Sequence, residues 1–329
     1  MALGVGLIGC GGMGLGLART IQERVAEAAV VVGYDPFEPA RRRFSDELGA
    51  PAVDSLEALL KRDDVQAVLI ATPNDLHCEQ TLAAAAAGKH VFCEKPMALS
   101  VADCDRMIAA CQQAGVKLMV GHSTRLAPLV RRLREMVSAG ELGRPVFGAA
   151  SYFFTGFKPR ESGVWHVHTA RSGGVLFHMG IHQIDLFHAL LGPSRRVQYV
   201  GGRYGQQAQD FDDVSSILIE FASGATGTIC VAAVSPVPVN EATFLFSGGY
   251  ARLRDHATIL EYGSAEAQLS RIGYRDVPGP EAIECELTSF VNWVLRDATP
   301  VLTAAEGRAA VAVAETARMA QDRDSHLLS

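Results

Sequence analysis

Residues Leu3–Ile8 form an apolar run of strand character that passes directly into Gly9-Cys10-Gly11-Gly12-Met13-Gly14 and then into a helical stretch over 15–28. Strand, glycine turn and helix in this order are the setting in which a G-x-G-x-x-G spacing has physical content. The glycines let the chain turn tightly and bring its backbone against a pyrophosphate, whose charge rests on the helix N-terminus. The next strand, over 30–34, ends in Asp35, 21 positions beyond Gly14. An acid there accepts hydrogen bonds from an adenosine ribose and repels a 2′-phosphate. Arg41, Arg42 and Arg43 are the opposing signal, because an arginine can accommodate NADP, but their helical spacing after Pro39 reads as a solvated face. NAD is therefore the expected cofactor, with NADP the alternative, and Gly9, Gly11, Gly12, Met13 and Asp35 are its candidate contacts.

With 329 residues there is room for two domains. The first continues in βα units. Asp54 or Ser55 is placed to cap a short helix, 65–70 is an apolar strand, and Ala71-Thr72-Pro73-Asn74-Asp75-Leu76-His77 turns into an alanine-rich helix that stops at Gly88. Pro73 near a helix start and Asn74 as its cap account for both residues structurally. His77 stands out, since the first turn of a helix disfavours a cation. The strand over 89–93 ends in Glu94-Lys95-Pro96, followed by Ser100-Val101-Ala102-Asp103, a capping-box signature opening a helix over 100–114. A lysine at a strand end is either a surface charge or, in an open α/β sheet, part of the ligand crevice. A last strand over 116–120 completes a doubly wound, parallel Rossmann sheet in residues 1–121.

Past Gly121 the pattern changes. Residues 128–139 read as a basic helix, 144–154 as a strand and 173–191 as helical. Strands over 196–202, 214–221, 225–233, 241–246 and 257–262 follow, joined by short turns such as Ala222-Ser223-Gly224, so their sheet is mostly antiparallel. Helices over 281–296 and 303–322 end the chain. The second opens on the capping box Thr303-Ala304-Ala305-Glu306 and is placed to pack back on the Rossmann domain. The expected fold is α/β: a Rossmann domain over 1–121 and a substrate-binding and oligomerisation α+β domain over 122–329 with a large open sheet. Ile217, Leu218, Ile219 and Phe221 put apolar side chains on both faces of that sheet, one for helices and one for a partner subunit, making a homodimer or homotetramer.

Thirty-six acids against 30 bases give no basic surface for nucleic acid or an anionic membrane, and no apolar run is long enough to span a bilayer. Seven cysteines, an odd number without a CxxC pair, read as reduced thiols of a cytoplasmic protein. Leu7-Ile8-Gly9-Cys10 has the look of a lipoprotein cleavage box, but the first basic residue is Arg19, so export is not expected.

The second concentration of chemistry is Gly173-Gly174-Val175-Leu176-Phe177-His178-Met179-Gly180-Ile181-His182-Gln183-Ile184-Asp185. On one regular helix, His178, His182 and Asp185 share a face. Such a face can be a zinc pair lacking further ligands, a set of core histidines bonded to carbonyls, or a catalytic histidine tuned by a neighbour. No metal is expected. Trp165, His166 and His168 offer an aromatic surface beside imidazoles that suits a polyol ring, or equally an anchoring tryptophan with exposed histidines. Arg125 is a candidate substrate liner, a contact to the nicotinamide side, or a member of the basic helix.

The segments GLIGCGGMG (6–14), TPNDLH (72–77), EKP (94–96) and GGVLFHMGIHQIDL (173–186) together resemble the Gfo/Idh/MocA oxidoreductases, the family of glucose-fructose oxidoreductase and inositol dehydrogenase, over essentially the whole chain. The resemblance implies hydride transfer between a nicotinamide and a hydroxyl-bearing carbon of a sugar, cyclitol or related polyol. It implies that Lys95 is the active-site lysine and His182 the catalytic histidine, and that Thr72, Pro73, Asn74, His77, Glu94 and Lys95 face the cofactor. Asp185 matches an acid that lines the substrate site in some members, and the peptide before Pro96 is expected to be cis. The family often has aspartate four residues before the histidine. Here that position is His178, a further catalytic candidate, so the inositol dehydrogenase substrate and relay do not carry over. The alternatives are a dehydrogenase of a non-sugar cyclic diol and a non-catalytic NAD-binding sensor.

Overall fold

The computed structural model of the chain describes residues 2–157, 165–205, 209–264 and 269–321. It divides into two compact units: the described residues of 1–123 with 283–308, and those of 124–282 with 309–321.

In the first unit β1 (Leu3–Ile8), β2 (Ala28–Tyr34), β3 (Ala52–Val53), β4 (Ala67–Ile70), β5 (His90–Glu94) and β6 (Leu118–Gly121) form a parallel sheet in the order β3-β2-β1-β4-β5-β6. Every residue of β1, β4 and β6 is buried. That is the property of strands covered on both faces, and it explains their continuous apolar runs. The order reverses between β1 and β4, where such sheets hold ligands beyond the strand ends. Helices α1 (Gly12–Arg24), α2 (Glu38–Leu48), α3 (Leu56–Leu60), α4 (His77–Ala86) and α5 (Val101–Ala114) connect the strands. α1 ends before residue 28 because Ala28 N–H turns back to the Val25 carbonyl, which releases Ala28 and Ala29 into β2.

The expected caps at α3 and α5 are present. Ser55 accepts from Ala58 N–H at 3.3 Å, and Ser100 accepts from Asp103 N–H at 3.1 Å while donating to the Asp103 carboxylate at 2.8 Å. Asn74 is different: it opens a 3-10 turn, Asn74–Leu76, and α4 starts at His77 without a side-chain cap. Residues 283–308, expected with the C-terminal domain, group with the first unit. α9 (Ala282–Arg296) buries Leu287, Phe290 and Val291, and Phe290 meets Phe92 of β5 edge-on at 5.8 Å. Burial of such a ring contributes about 1.5–3 kcal/mol.

In the second unit β7 (Pro145–Phe153), β8 (Ser194–Gly202), β9 (Val214–Phe221), β10 (Thr226–Ala232), β11 (Val239–Phe246), β12 (Gly249–Arg254), β13 (Ile259–Ser264) and β14 (Ser270–Gly273) make one sheet in the order β14-β13-β12-β11-β7-β10-β9-β8. Among the described residues only the β7–β10 pairing is parallel. α6 (Pro128–Ser138), α7 (Thr169–Ser172) and α8 (Ile181–Leu191) precede most of it, and α10 (Ala304–Gln321) closes the described chain. Phe187 of α8 is fully buried against Phe221 and Phe244, and a Cβ at Gly227 would come within 2.8 Å of its ring. The opposite face leaves Val200, Leu218 and Leu245 exposed.

β12 and β14 are additions to the sequence expectation. The outward positions of β12 are charged: Arg252 pairs with Glu241 of β11 at 2.6 Å and Arg254 with Glu261 of β13 at 3.5 Å. The strand is held by cross-strand ion pairs over a thin buried stripe of Ala251 and Leu253, a weaker signal than an apolar run. No helix among the described residues is long and apolar enough to cross a membrane.

Candidate functional site

In the first unit the predicted cofactor residues converge at the end of β1. Gly9 has φ +98°, and a Cβ there would lie 2.7 Å from the Ala71 carbonyl oxygen. Gly14 sits so close under the loop that a Cβ would fall 2.0 Å from the Gly9 oxygen, so only glycine allows this packing. Gly11 and Gly12 face open space instead. α1 begins there with no side-chain cap and no acid in its first turn, and Met13 is 49% exposed. Uncapped N–H groups and a positive dipole end beside open glycines form an anion cradle. The loop therefore fits a dinucleotide pyrophosphate.

Asp35 Oδ2 accepts from Cys10 N–H and Oδ1 from Phe37 N–H, both at 2.9 Å. One carboxylate thus ties the glycine loop to the end of β2 and keeps further acceptor capacity for ribose hydroxyls. The arginines divide. Arg42 is exposed and pairs with Glu38, as a solvated face would. Arg41 instead donates to the Asp35 and Pro36 carbonyls at 2.8 and 3.0 Å, and Arg43 reaches the Cys10 carbonyl at 3.5 Å. Replacing Asp35 with alanine is expected to weaken NAD roughly 10-fold or more and NADP less, the scale of a hydrogen bond to a charged group. Titrations of both cofactors, with Asp35→Asn as the variant that retains one acceptor, check this; an equal loss for both would show that the carboxylate acts only on the loop.

Beyond β4 and β5 two loops are joined by His77. Its ring is fully buried, with Nδ1 2.8 Å from the Pro96 carbonyl and Nε2 3.0 Å from that of Thr72. Burial lowers its pKa and holds the ring neutral, so one nitrogen donates at a time. The imidazole lies between the Thr72 turn and the Lys95-Pro96 turn and links them. Thr72 Oγ1 donates to Gln80 Oε1 at 2.6 Å, Pro73 leads into the 3-10 turn, and Asn74 is buried. The Lys95–Pro96 peptide is cis, as expected. Lys95 is half-buried, and its backbone N–H donates to Glu94 Oε2 at 3.1 Å. Glu94 is buried, and desolvation pushes its carboxyl up to about 7 against the opposing pull of Lys95. The seven cysteines are free, and burial pushes the thiols of Cys10 and Cys104 up to about 12, which keeps both protonated.

In the second unit the expected helical face is broken. Leu176–Gly180 is a π turn, which disrupts the four-residue stacking between His178 and His182. His178 goes to an aromatic cluster, 5.4 Å from the Trp165 ring and 5.5 Å from Phe157. His182 and Asp185 stay together on α8 and meet two consecutive residues of the 3-10 turn Ser123–Leu126. His182 Nδ1 lies 3.1 Å from Thr124 Oγ1, and Arg125 grips Asp185 with Nε and Nη2, the Nε bond at 2.7 Å.

Arg125 and Asp185 are 2% and 0% exposed. The two expected substrate liners thus face one another as a buried ion pair. His166 is likewise buried, its ring 5.3 Å from Phe157 and 5.9 Å from Trp165, whereas His168 is exposed and lies 3.8 Å from the Asp210 carboxylate. Trp165 is half-buried with its ring edge-on to both His166 and His178. Thr124, Phe157 and Phe211, which closes on Phe157 at 5.7 Å, were absent from the sequence-derived candidates. Thr124 had one available signal, its place beside Arg125 just beyond β6. No group of three or more His, Cys, Asp or Glu among the described residues is arranged to hold a metal ion.

Residues 3–122 match the oxidoreductase family with an NAD-binding Rossmann fold, and residues 130–252 match the GFO/IDH/MocA C-terminal domain. The chain belongs to the GFO/IDH/MocA oxidoreductase family. It is 34% identical over 218 residues to 2,7-anhydro-N-acetylneuraminate hydratase of Mediterraneibacter gnavus, covering 66% of this chain and 57% of that protein. It is 33% identical over 229 residues to 1-carboxy-3-chloro-3,4-dihydroxycyclohexa-1,5-diene dehydrogenase of Comamonas testosteroni, covering 68% and 56%. The matched stretch thus spans less than two thirds of these curated relatives. The structure of levoglucosan dehydrogenase in complex with NADH and levoglucosan superimposes with a TM-score of 0.88 at 22% identity, over 99% of this chain and 98% of that one, which establishes the shared fold.

Proposed function

We propose that the chain is an NAD-dependent oxidoreductase, with NADP as the second possible dinucleotide, that moves hydride between the nicotinamide and a hydroxyl-bearing carbon of a sugar, cyclitol or related polyol. The observation that carries this reading is a half-buried histidine, His182, held at one ring nitrogen by a hydroxyl, in a chain whose other unit is a built dinucleotide fold. Oxidising an alcohol releases a proton together with hydride, so a base that titrates near working pH has to receive it. The bound dinucleotide supplies the hydride acceptor or donor. His182 receives the hydroxyl proton. The Lys95 ammonium donates a hydrogen bond to the same oxygen, which stabilises developing alkoxide in one direction and polarises the carbonyl in the other.

A second reading, a dehydrogenase of a non-sugar cyclic diol, is favoured by His178. Its imidazole rests between Trp165 and Phe157, an apolar aromatic setting better matched to a flat ring than to a hydroxyl-studded one. The Comamonas relative, named for a dihydroxycyclohexadiene substrate, supports the same reading.

Nicotinamide absorbance with NAD and NADP, against myo-inositol, levoglucosan, glucose and a cis-dihydroxycyclohexadiene, separates the readings. Reduction with a polyol supports the first, and reduction with the diene diol alone supports the second. No absorbance change with any of them, despite NAD binding, overturns net oxidation of these substrates and leaves net hydration or the NAD-binding sensor. Net hydration, the activity named for the Mediterraneibacter relative, is tested with 2,7-anhydro-N-acetylneuraminate; it would appear as one added water without accumulating reduced nicotinamide.

A further inference from the structure

We infer that Thr124 is the positioning residue of His182: its hydroxyl accepts from Nδ1–H and thereby assigns proton exchange with substrate to Nε2. This rests on the reading of His182 as the base. An imidazole base needs one nitrogen held as a donor so that the other presents its lone pair, and the holding group is usually an oxygen on another element. His182 Nδ1 has that oxygen at 3.1 Å, and it comes from the turn before α6 rather than from its own helix. The residue four positions earlier, His178, is carried by the π turn to Trp165 and Phe157.

The turn itself is anchored. Ala127 N–H returns to the Thr124 carbonyl at 3.2 Å, Leu126 is 2% exposed, and Arg125 is clamped on Asp185, one helical turn beyond His182 on the same face of α8. The ion pair therefore sets the depth of the turn, and the turn sets the hydroxyl. A threonine adds a further constraint, because its branched β-carbon limits χ1. A hydroxyl oxygen can accept from Nδ1–H in both the neutral ring and the imidazolium, so the contact persists through a proton-transfer cycle. It adds no charge, which distinguishes it from a carboxylate partner.

The test that needs no substrate is ¹⁵N-histidine NMR of the full chain, with the His182 signals identified by their loss in His182→Asn. Above its titration, His182 is expected as the Nδ1–H tautomer, and Thr124→Val is expected to lose that preference while Thr124→Ser keeps it. An Nε2–H tautomer in the wild type, or the same tautomer in Thr124→Val, overturns the assignment. With the best compound of the polyol and diol panel, Thr124→Val should lower kcat roughly 10- to 100-fold, the scale of misplacing a catalytic group. KM for NAD should stay within about twofold, since the glycine loop and Asp35 are untouched by the substitution. The acidic limb of the oxidation pH profile should move to lower pH, because an acceptor for the imidazolium has been removed, and Thr124→Ser should restore both. Wild-type kcat and profile in Thr124→Val beside an inactive His182→Asn overturn the role of Thr124 alone. Wild-type rates in His182→Asn overturn the catalytic reading and this inference with it.

Discussion

Lys95→Met is expected to lower turnover by at least about 10³-fold while NAD affinity stays within about threefold, the upper range for removing one preorganised donor to a developing oxyanion. Methionine keeps the unbranched stem and removes the ammonium. The backbone of the turn has anchors of its own: the Lys95 backbone N–H donates to Glu94, and the Pro96 carbonyl lies 2.8 Å from Nδ1 of buried His77. Loss of rate with NAD affinity retained therefore reports chemistry rather than a displaced loop. Steady-state rates with the active compound of the panel, together with NAD titration by protein fluorescence, check it. Rates within a few-fold of wild type would remove Lys95 from the mechanism, and parallel loss of NAD affinity would make it a cofactor anchor instead.

The second large effect is on stability. Arg125→Met is expected to destabilise the protein by about 3–5 kcal/mol, because it leaves the fully buried Asp185 carboxylate without its bidentate partner. Removing both charges, Arg125→Met with Asp185→Leu, should recover most of that loss, since two apolar side chains of similar volume avoid the desolvation that a lone ion suffers. Urea denaturation of the single and double variants measures the difference. If Arg125→Met unfolds like the wild type, the pair does not anchor the 3-10 turn. If the double variant is as unstable as the single, packing rather than charge is what the site requires.

The legible part of the fold was the part with strong local rules. β1, the glycine loop and Asp35 could be recognised because parallel strands buried on both faces read as continuous apolar runs, and because only glycine tolerates the approach of Gly14 to the Gly9 carbonyl. Ser55, Ser100 and Thr303 cap helices where their spacing indicated, and Thr303 with Glu306 exchanges both hydrogen bonds of the box. The misreadings arose where long-range pairing overrides local pattern. Asn74 has a capping side chain, yet the chain enters α4 through a 3-10 turn, with the buried His77 ring set between carbonyls from two loops. β12 carries alternating arginines whose partners, Glu241 and Glu261, lie on neighbouring strands.

The site divides in the same way. From residues alone it was possible to name Lys95 at a strand end, His182 on a helix and an acid three positions further on, because chemistry restricts which side chains can perform each task. Which of them face outward is a matter of tertiary packing. Arg125 and Asp185 are side chains that a binding site could use, but here they are buried against each other, and their attraction offsets the cost of taking both charges out of water. His178 and His182 keep their spacing in sequence but lose their common face to one wide turn of helix. The sequence by itself determined the dinucleotide fold, through glycine sterics and a strand-end acid. Only the tertiary structure decided that Thr124 meets His182, because a contact across 58 residues leaves no periodic trace in the chain.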